Sequence, residues 1–178
     1  LKKKYADIET VFAEQSLPLN FEGETDHPMH SCWLSLFDQS AESLLYLVTE
    51  TVATGRRHHL TEKTFKPIAA QHPLIVYGTP GTLDYLHELG FETFDHAIDE
   101  SYDSIVDNDA RIEAVVNQLR WYCDLTLDEK TNIIQQLEPI IEYNFHHFYG
   151  EFRHIITREL LDNTKALFQS IGYDDGYI

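Results

Sequence analysis

The sequence is short of positive charge. Against 30 Asp and Glu stand only 13 Lys and Arg, a formal net charge of −17 over 178 residues. A chain so acidic repels phosphate backbones and anionic bilayers, which excludes broad nucleic-acid or membrane-surface binding. Cysteine is scarce as well: Cys32 and Cys123 stand far apart and in no CxxC spacing. That excludes a disulfide framework and a cysteine-based structural zinc site, and it points to a reducing compartment, so the cytoplasm is the expected location. No apolar run approaches the ~20 residues that span a bilayer, and no signal peptide is visible. The GxGxxG and Walker A spacings are missing too, which leaves dinucleotide and NTPase readings without support.

What is present is core-forming material. Hydrophobic residues make up 43% of the chain and aromatics 12%, enough to exclude wholesale disorder. An amphipathic stretch, Tyr5 to Glu14, predicts a short helix after Lys2, Lys3 and Lys4. Residues 16–40 carry turn formers and little pattern. His27, His30 and Cys32 fall in that part, where Pro28 forbids a regular helix, so an ordinary loop is expected rather than a metal site.

The middle of the chain alternates. Leu44 to Val48 is a continuous apolar run, which predicts a strand buried on both faces. A loop follows, and then a helix with Thr61 as N-cap and Phe65, Ile68 and Ala69 as its apolar face, Pro67 being expected in its first turns. Pro73 to Tyr77 reads as a second buried strand, ended by Gly78-Thr79-Pro80-Gly81. Leu83, Leu86 and Leu89 mark a helix closed by Gly90, and Phe91 to Phe94 is a short strand candidate. Strand, helix, strand, helix, strand argues for a parallel α/β sheet with crossover helices.

From Asp107 the period becomes helical. Ile112, Val115, Val116 and Leu119 share a face. Thr126 and Glu129 form a capping box before a helix carrying Ile133, Ile134, Leu137, Ile140 and Ile141, with a bend expected near Pro139. A last helix spans Phe152 to Ser170. Cys123 is expected in the core beside Trp121 and Tyr122, and His146 and His147 are expected to be split between core and surface. Asp95, Asp99, Glu100 and Asp103 form an acidic run, for which helix capping and a solvated face are a better account than acid–base chemistry.

The placement of the few cations carries the functional information. Between Tyr5 and Ala110 the only ones are Arg56, Arg57, Lys63 and Lys66, with His58 and His59 among them. All lie in the loop after the first strand and in the first turns of its helix. Ligands of open α/β sheets bind beyond the carboxyl ends of the strands, where a helix start offers N–H groups and a positive dipole end. A phosphate or diphosphate is the natural occupant of such a cluster, with Glu62 turned to a hydroxylated group such as a ribose. The plain alternative is that Arg56 and Arg57 are solvated loop charges and that Glu62 complements the helix dipole.

The stretch Leu47-Val48-Thr49-Glu50-Thr51, the basic loop, Leu60-Thr61-Glu62-Lys63-Thr64-Phe65 and Pro73-Leu74-Ile75-Val76-Tyr77-Gly78 resembles the donor-binding half of the α1,3-fucosyltransferase family. It is also similar to glycosyltransferase-like proteins of bacteria and viruses in which an Asp-Glu-Ser-Tyr-Asp stretch, here Asp99 to Asp103, follows the second helix. The resemblance covers roughly residues 44 to 103. It implies a GT-B donor domain: a Rossmann-like parallel sheet with flanking helices over residues 1–106, N-terminal helix included. Residues 107–178 would be a helical extension packed on the same domain.

By that resemblance Glu62 contacts the ribose, Lys63 the diphosphate, and Glu50 lies near the donor at the strand end. Arg56, Arg57, Thr61 and Lys66 join the site on grounds of charge and position. The implied reaction moves a sugar from a nucleoside-diphosphate sugar to a carbohydrate acceptor hydroxyl, with no cofactor and no metal, protein cations stabilising the leaving diphosphate. An Asp-x-Asp motif is then not expected in the chain. Where the family carries an aromatic-Glu-Asn, this chain has Val48-Thr49-Glu50-Thr51, so no particular donor sugar is implied. The family's acceptor domain and its general base lie upstream of the matched part. The expectation is therefore a donor domain incomplete without that partner, and no catalytic base is assigned. The alternative is a non-catalytic acidic interaction protein that retains the fold.

Overall fold

The computed structural model describes residues 42–172, so the expected helix Tyr5–Glu14 and the residues His27, His30 and Cys32 lie outside the described part. Strand β1 (Tyr46–Thr49) is followed by helix α1 (Glu62–Ala69), strand β2 (Leu74–Tyr77) and helix α2 (Thr82–Glu88). A 3-10 turn (Ser101–Ser104) leads to α3 (Asn108–Asp124), α4 (Leu127–Tyr149) and α5 (Phe152–Ser170). The two strands pair in parallel, Tyr46 with Leu74 through to Thr49 with Tyr77. The described part is thus a mixed α/β fold with a two-stranded parallel sheet and five helices.

The expected third strand at Phe91–Phe94 is absent, for a reason visible in its hydrogen bonds. The N–H and C=O of Glu92 are taken by the side-chain amide of Asn144 on α4, at 2.9 and 2.8 Å. The Phe94 N–H goes to Glu100 Oε1 at 2.8 Å. A backbone satisfied by side chains has no need of a sheet neighbour. The far edge of β2 is closed in the same way, the Val76 N–H donating to the Tyr102 hydroxyl at 3.3 Å.

Strand β2 is buried on both faces as its sequence predicts, with Leu74, Ile75 and Val76 all under 5% exposed. Strand β1 is not: Val48 is buried, but Leu47 is 43% exposed. The apolar run at Leu44–Val48 therefore misreads as a two-faced strand what is a one-faced one. Helix α1 packs on both strands and on α4, and α3 packs on β2 and the 3-10 turn. An aromatic cluster joins them, with Phe152 of α5 meeting Phe65 and Phe91 at centroid distances of 5.0 Å each.

Helix ends follow the local sequence. Thr126 and Glu129 form the expected capping box, and α2 ends at Gly90 with φ +89°. Pro67 sits at the sixth position of α1, in its second turn, so the Lys63 carbonyl loses its helical donor there. Helix α4 is continuous in its secondary structure through the exposed Pro139.

Cys123 is exposed, not in the core. The buried stripe of α3 is Arg111, Val115 and Tyr122, and Cys123 lies about 100° round the helix from the last of these. His146 and His147 divide as expected. His146 is exposed, whereas His147 is half-buried and bonds the Leu89 carbonyl at 2.8 Å.

Candidate functional site

The connections leaving β1 and β2 lie together at the carboxyl ends of the parallel strands, since Thr49 pairs with Tyr77. The first connection, residues 50–61, carries Arg56, Arg57, His58 and His59. The second is Gly78-Thr79-Pro80-Gly81. They are tied to each other: the Thr79 hydroxyl donates to the Arg57 carbonyl at 3.4 Å and stands 3.4 Å from His58 Nδ1. The His58 ring stacks on Tyr85 of α2, centroids 5.3 Å apart. Gly81 is required there. Its φ is +80°, and a Cβ would stand 3.2 Å from the His58 ring.

Arg56 and Arg57 are exposed, and among the described residues neither guanidinium has an ion pair or hydrogen-bond partner. Lys63 projects from the first turn of α1. Its ammonium lies 3.1 Å from Thr51 Oγ1 and 3.2 Å from Glu62 Oε1. Slight burial pulls the Glu62 carboxyl up, but a hydrogen bond from its own N–H and the neighbouring Lys63 outweigh it and hold it below the usual range. Lys66 stands one turn further along the same helix and is half-buried.

Glu50 and Thr61 have a role inside the fold. Glu50 is 6% exposed, and its carboxylate accepts three hydrogen bonds: Thr61 N–H at 3.0 Å, Thr61 Oγ1 at 2.6 Å and Thr64 Oγ1 at 2.5 Å. The start of α1 is thereby closed from within. Thr61 N–H is held by Glu50, Lys63 N–H by Thr61 Oγ1 and Thr64 N–H by Thr61 O.

The start of α2 is closed in the same way by Asp103, whose two oxygens take Thr82 N–H at 3.1 Å and Leu83 N–H at 2.9 Å. Burial raises the Asp103 carboxyl; the Leu83 N–H opposes this, Asp84 adds to it, and the Thr82 N–H and His58 oppose it more weakly. The free helix N–H groups expected to cradle a phosphate are therefore occupied by the chain's own oxygens. Any anion here would be held by side chains.

The acidic run does structural work, as the capping account expects. Asp103 caps α2 across twenty residues of sequence, Asp99 accepts the Ser101 N–H at 3.0 Å, and Glu100 holds Phe94. Glu100 is raised by burial, against hydrogen bonds from Thr93 and Phe94. With Asp84, His87 and Asp95, Glu100 and Asp103 line a cavity of about 180 Å³. An Asp-x-Asp triplet, which the metal-free expectation leaves out of account, does occur at Asp107-Asn108-Asp109. Asp107 is spent on capping α3, accepting Ala110 N–H at 2.8 Å. Among the described residues no group of His, Cys, Asp and Glu is arranged to hold a metal ion.

Arg111 is the residue that sequence reasoning missed. It is 1% exposed. Its Nε donates to the Gly78 carbonyl at 3.1 Å, one terminal nitrogen to Ile105 and Val106 carbonyls at 2.6 and 3.3 Å, and the other to the Ala53 carbonyl and Asn108 Oδ1. All five guanidinium donors are used. The one available signal was an arginine in the first turn of a helix, where the dipole opposes a cation.

Comparison with protein-family models, with curated proteins and with solved structures finds no significant match. No described helix is long and apolar enough to cross a membrane.

Proposed function

We propose that this chain supplies the donor-binding half of a GT-B-type glycosyltransferase, with a Rossmann-like core that takes a nucleoside-diphosphate sugar at the carboxyl ends of β1 and β2. One observation carries the reading: on a chain of net charge −17, Arg56 and Arg57 are exposed in the connection after β1 and unpaired among the described residues, and Lys63 stands in the first turn of the helix that follows. Arg56 or Arg57 and Lys63 would neutralise the diphosphate, and Glu62 would accept hydrogen bonds from the ribose. Glu50 and Thr61 shape the helix start on which Lys63 and Glu62 stand, and Lys66 would add a further cation along the same helix.

Transfer then consists of attack by an acceptor hydroxyl on the anomeric carbon while the bond to the diphosphate oxygen breaks. The protein cations stabilise the leaving charge without cofactor or metal. The base that takes the hydroxyl proton would come from an acceptor domain outside the matched part. Carbohydrate acceptors and a cytoplasmic setting belong to the same reading, and nucleic acid does not.

A second reading is favoured by the internally closed helix starts. An anion site that has given its helix N–H groups to Glu50 and Asp103 suits an acidic interaction module that has kept the βαβ unit without turnover.

Calorimetric titration with GDP, UDP and their sugar conjugates separates the two. The donor reading expects saturable binding of one nucleotide, weakened at least tenfold (~1.4 kcal/mol) in Arg57→Ala and in Lys63→Ala. A folded protein that binds none of them removes the donor reading and leaves the interaction module.

A further inference from the structure

We infer that Arg111 is a positioning residue of the strand-end anion site, one of two pins that hold Arg56 and Arg57 on a short, preorganised turn. The nucleotide part of this inference rests on the donor-binding reading above.

Placing an arginine at 1% exposure in the first turn of a helix is costly, because the charge is desolvated and the dipole opposes it. No carboxylate pairs with it among the described residues. A cation kept in such a place is held for its geometry, and its acceptors state what that geometry is. Gly78 O belongs to the connection after β2, Ala53 O to the connection after β1, and Ile105 O and Val106 O to the turn before α3. One rigid fork therefore fixes both strand-end connections relative to each other. The face of Tyr77, the last residue of β2, lies 5.4 Å from its guanidinium carbon and limits the fork's movement.

The basic connection is pinned a second time four residues on, where the Thr79 hydroxyl meets the Arg57 carbonyl. Between Ala53 and Arg57 lie only Thr54, Gly55 and Arg56. Gly55 has φ +97° with no atom within 4 Å of where a Cβ would stand, so it turns the chain in open space. Two arginines on a turn pinned at both ends lose little conformational entropy when they meet an anion, which is how preorganisation adds affinity.

Limited trypsin digestion followed by mass spectrometry tests the pinning without any ligand. Arg111→Lys keeps the charge but offers three donors in place of five. Cleavage after Arg56 and Arg57 should accelerate at least tenfold relative to cleavage after Arg120 and Arg158. Equal acceleration at all sites marks a general loss of stability and overturns the inference. If Arg111→Lys does not fold, Thr79→Val removes the second pin alone and must accelerate the same two cleavages, and an unchanged rate overturns the inference.

Titration of GDP and UDP then reads the function. In the wild-type background Arg57→Ala should weaken binding at least tenfold, and in the Arg111→Lys background less than threefold, since a loosened turn has already lost its contribution. Multiplying effects overturn the positioning role while leaving the donor site standing. Absence of nucleotide binding by the wild type removes the ligand role together with the donor reading, and the trypsin result then decides the pinning alone.

Discussion

Replacing Glu50 by Gln is the sharpest way to ask whether this residue serves the fold or a ligand. The carboxylate is 6% exposed and accepts three hydrogen bonds, two of them from side-chain hydroxyls at 2.6 Å or less. Hydrogen bonds to a charged acceptor contribute about 1.5–3 kcal/mol each, and a buried donor left unpaired costs about 1–3 kcal/mol. Gln keeps one oxygen and turns an NH₂ toward the other donors. At least one of Thr61 N–H, Thr61 Oγ1 and Thr64 Oγ1 then faces a donor instead of an acceptor. The rest can relax around the remaining oxygen, so a loss of about 2–4 kcal/mol is expected. For a chain of this size that lowers the thermal midpoint by roughly 5–15 °C. Urea denaturation followed by circular dichroism gives the free energy, and an unchanged m-value shows that the transition is still two-state. A loss below about 0.5 kcal/mol, within the range of ordinary surface substitutions, would refute the clamp. If that small loss came with abolished nucleotide binding, Glu50 would instead be a ligand-binding residue, as the family resemblance implies.

Four other substitutions test the same physical account. Gln71 has φ +56° just past the end of α1, with Gln71 N–H bonded to Ile68 O and His72 N–H to Pro67 O, so Gln71→Gly should raise stability by about 1 kcal/mol, read from the urea midpoint. Burial raises Glu100 above its unfolded value, so the native state binds its proton the more readily and the group's burial penalty eases as pH falls through the raised value. Glu100→Gln keeps an acceptor for Phe94 N–H. Its stability relative to wild type should therefore be greater at pH 7 than at about pH 5, and a gap that does not narrow on acidification counts against the burial argument. Phe152→Ala should cost about 3–5 kcal/mol, because the ring is 9% exposed among Phe65, Phe91 and Phe148. Leu160→Gln on the same helix, at 65% exposure, should stay within about 0.5 kcal/mol in thermal or urea unfolding.

Features of the chain that depend on neighbours in sequence were legible. The capping box at Thr126, the stop at Gly90, the cap at Thr61 and the limits of α5 all rest on interactions spanning a few residues. Strand β2 agrees with its sequence because the apolar run Leu74-Ile75-Val76 is in fact covered on both faces. The failures came where distant groups decide. Phe91–Phe94 has the composition of a strand, and Asn144, 52 residues on from Glu92, takes the hydrogen bonds that a strand would need. Leu44–Val48 has the composition of an interior strand, but no sequence pattern shows that only one of its faces is covered.

The same distinction governs the site. The cation cluster was visible because charge is counted along the chain, and the structure places Arg56 and Arg57 in solvent at the strand ends. The state of the helix starts was not, since the group that closes α2 is Asp103, twenty residues downstream, and the one that closes α1 is Glu50, eleven residues upstream. A search for an anion site that counts N–H groups at helix starts will overstate what is free wherever a strand or loop returns a carboxylate to them. It also passes over Arg111, which lies in a helix by sequence and beneath the two strand-end connections by contact. Exposed arginines alone would make a weak and mobile anion trap. Fixed by a buried arginine to the two connections between which a ligand would sit, they become a surface of defined shape, and that shape is what the trypsin and titration measurements read.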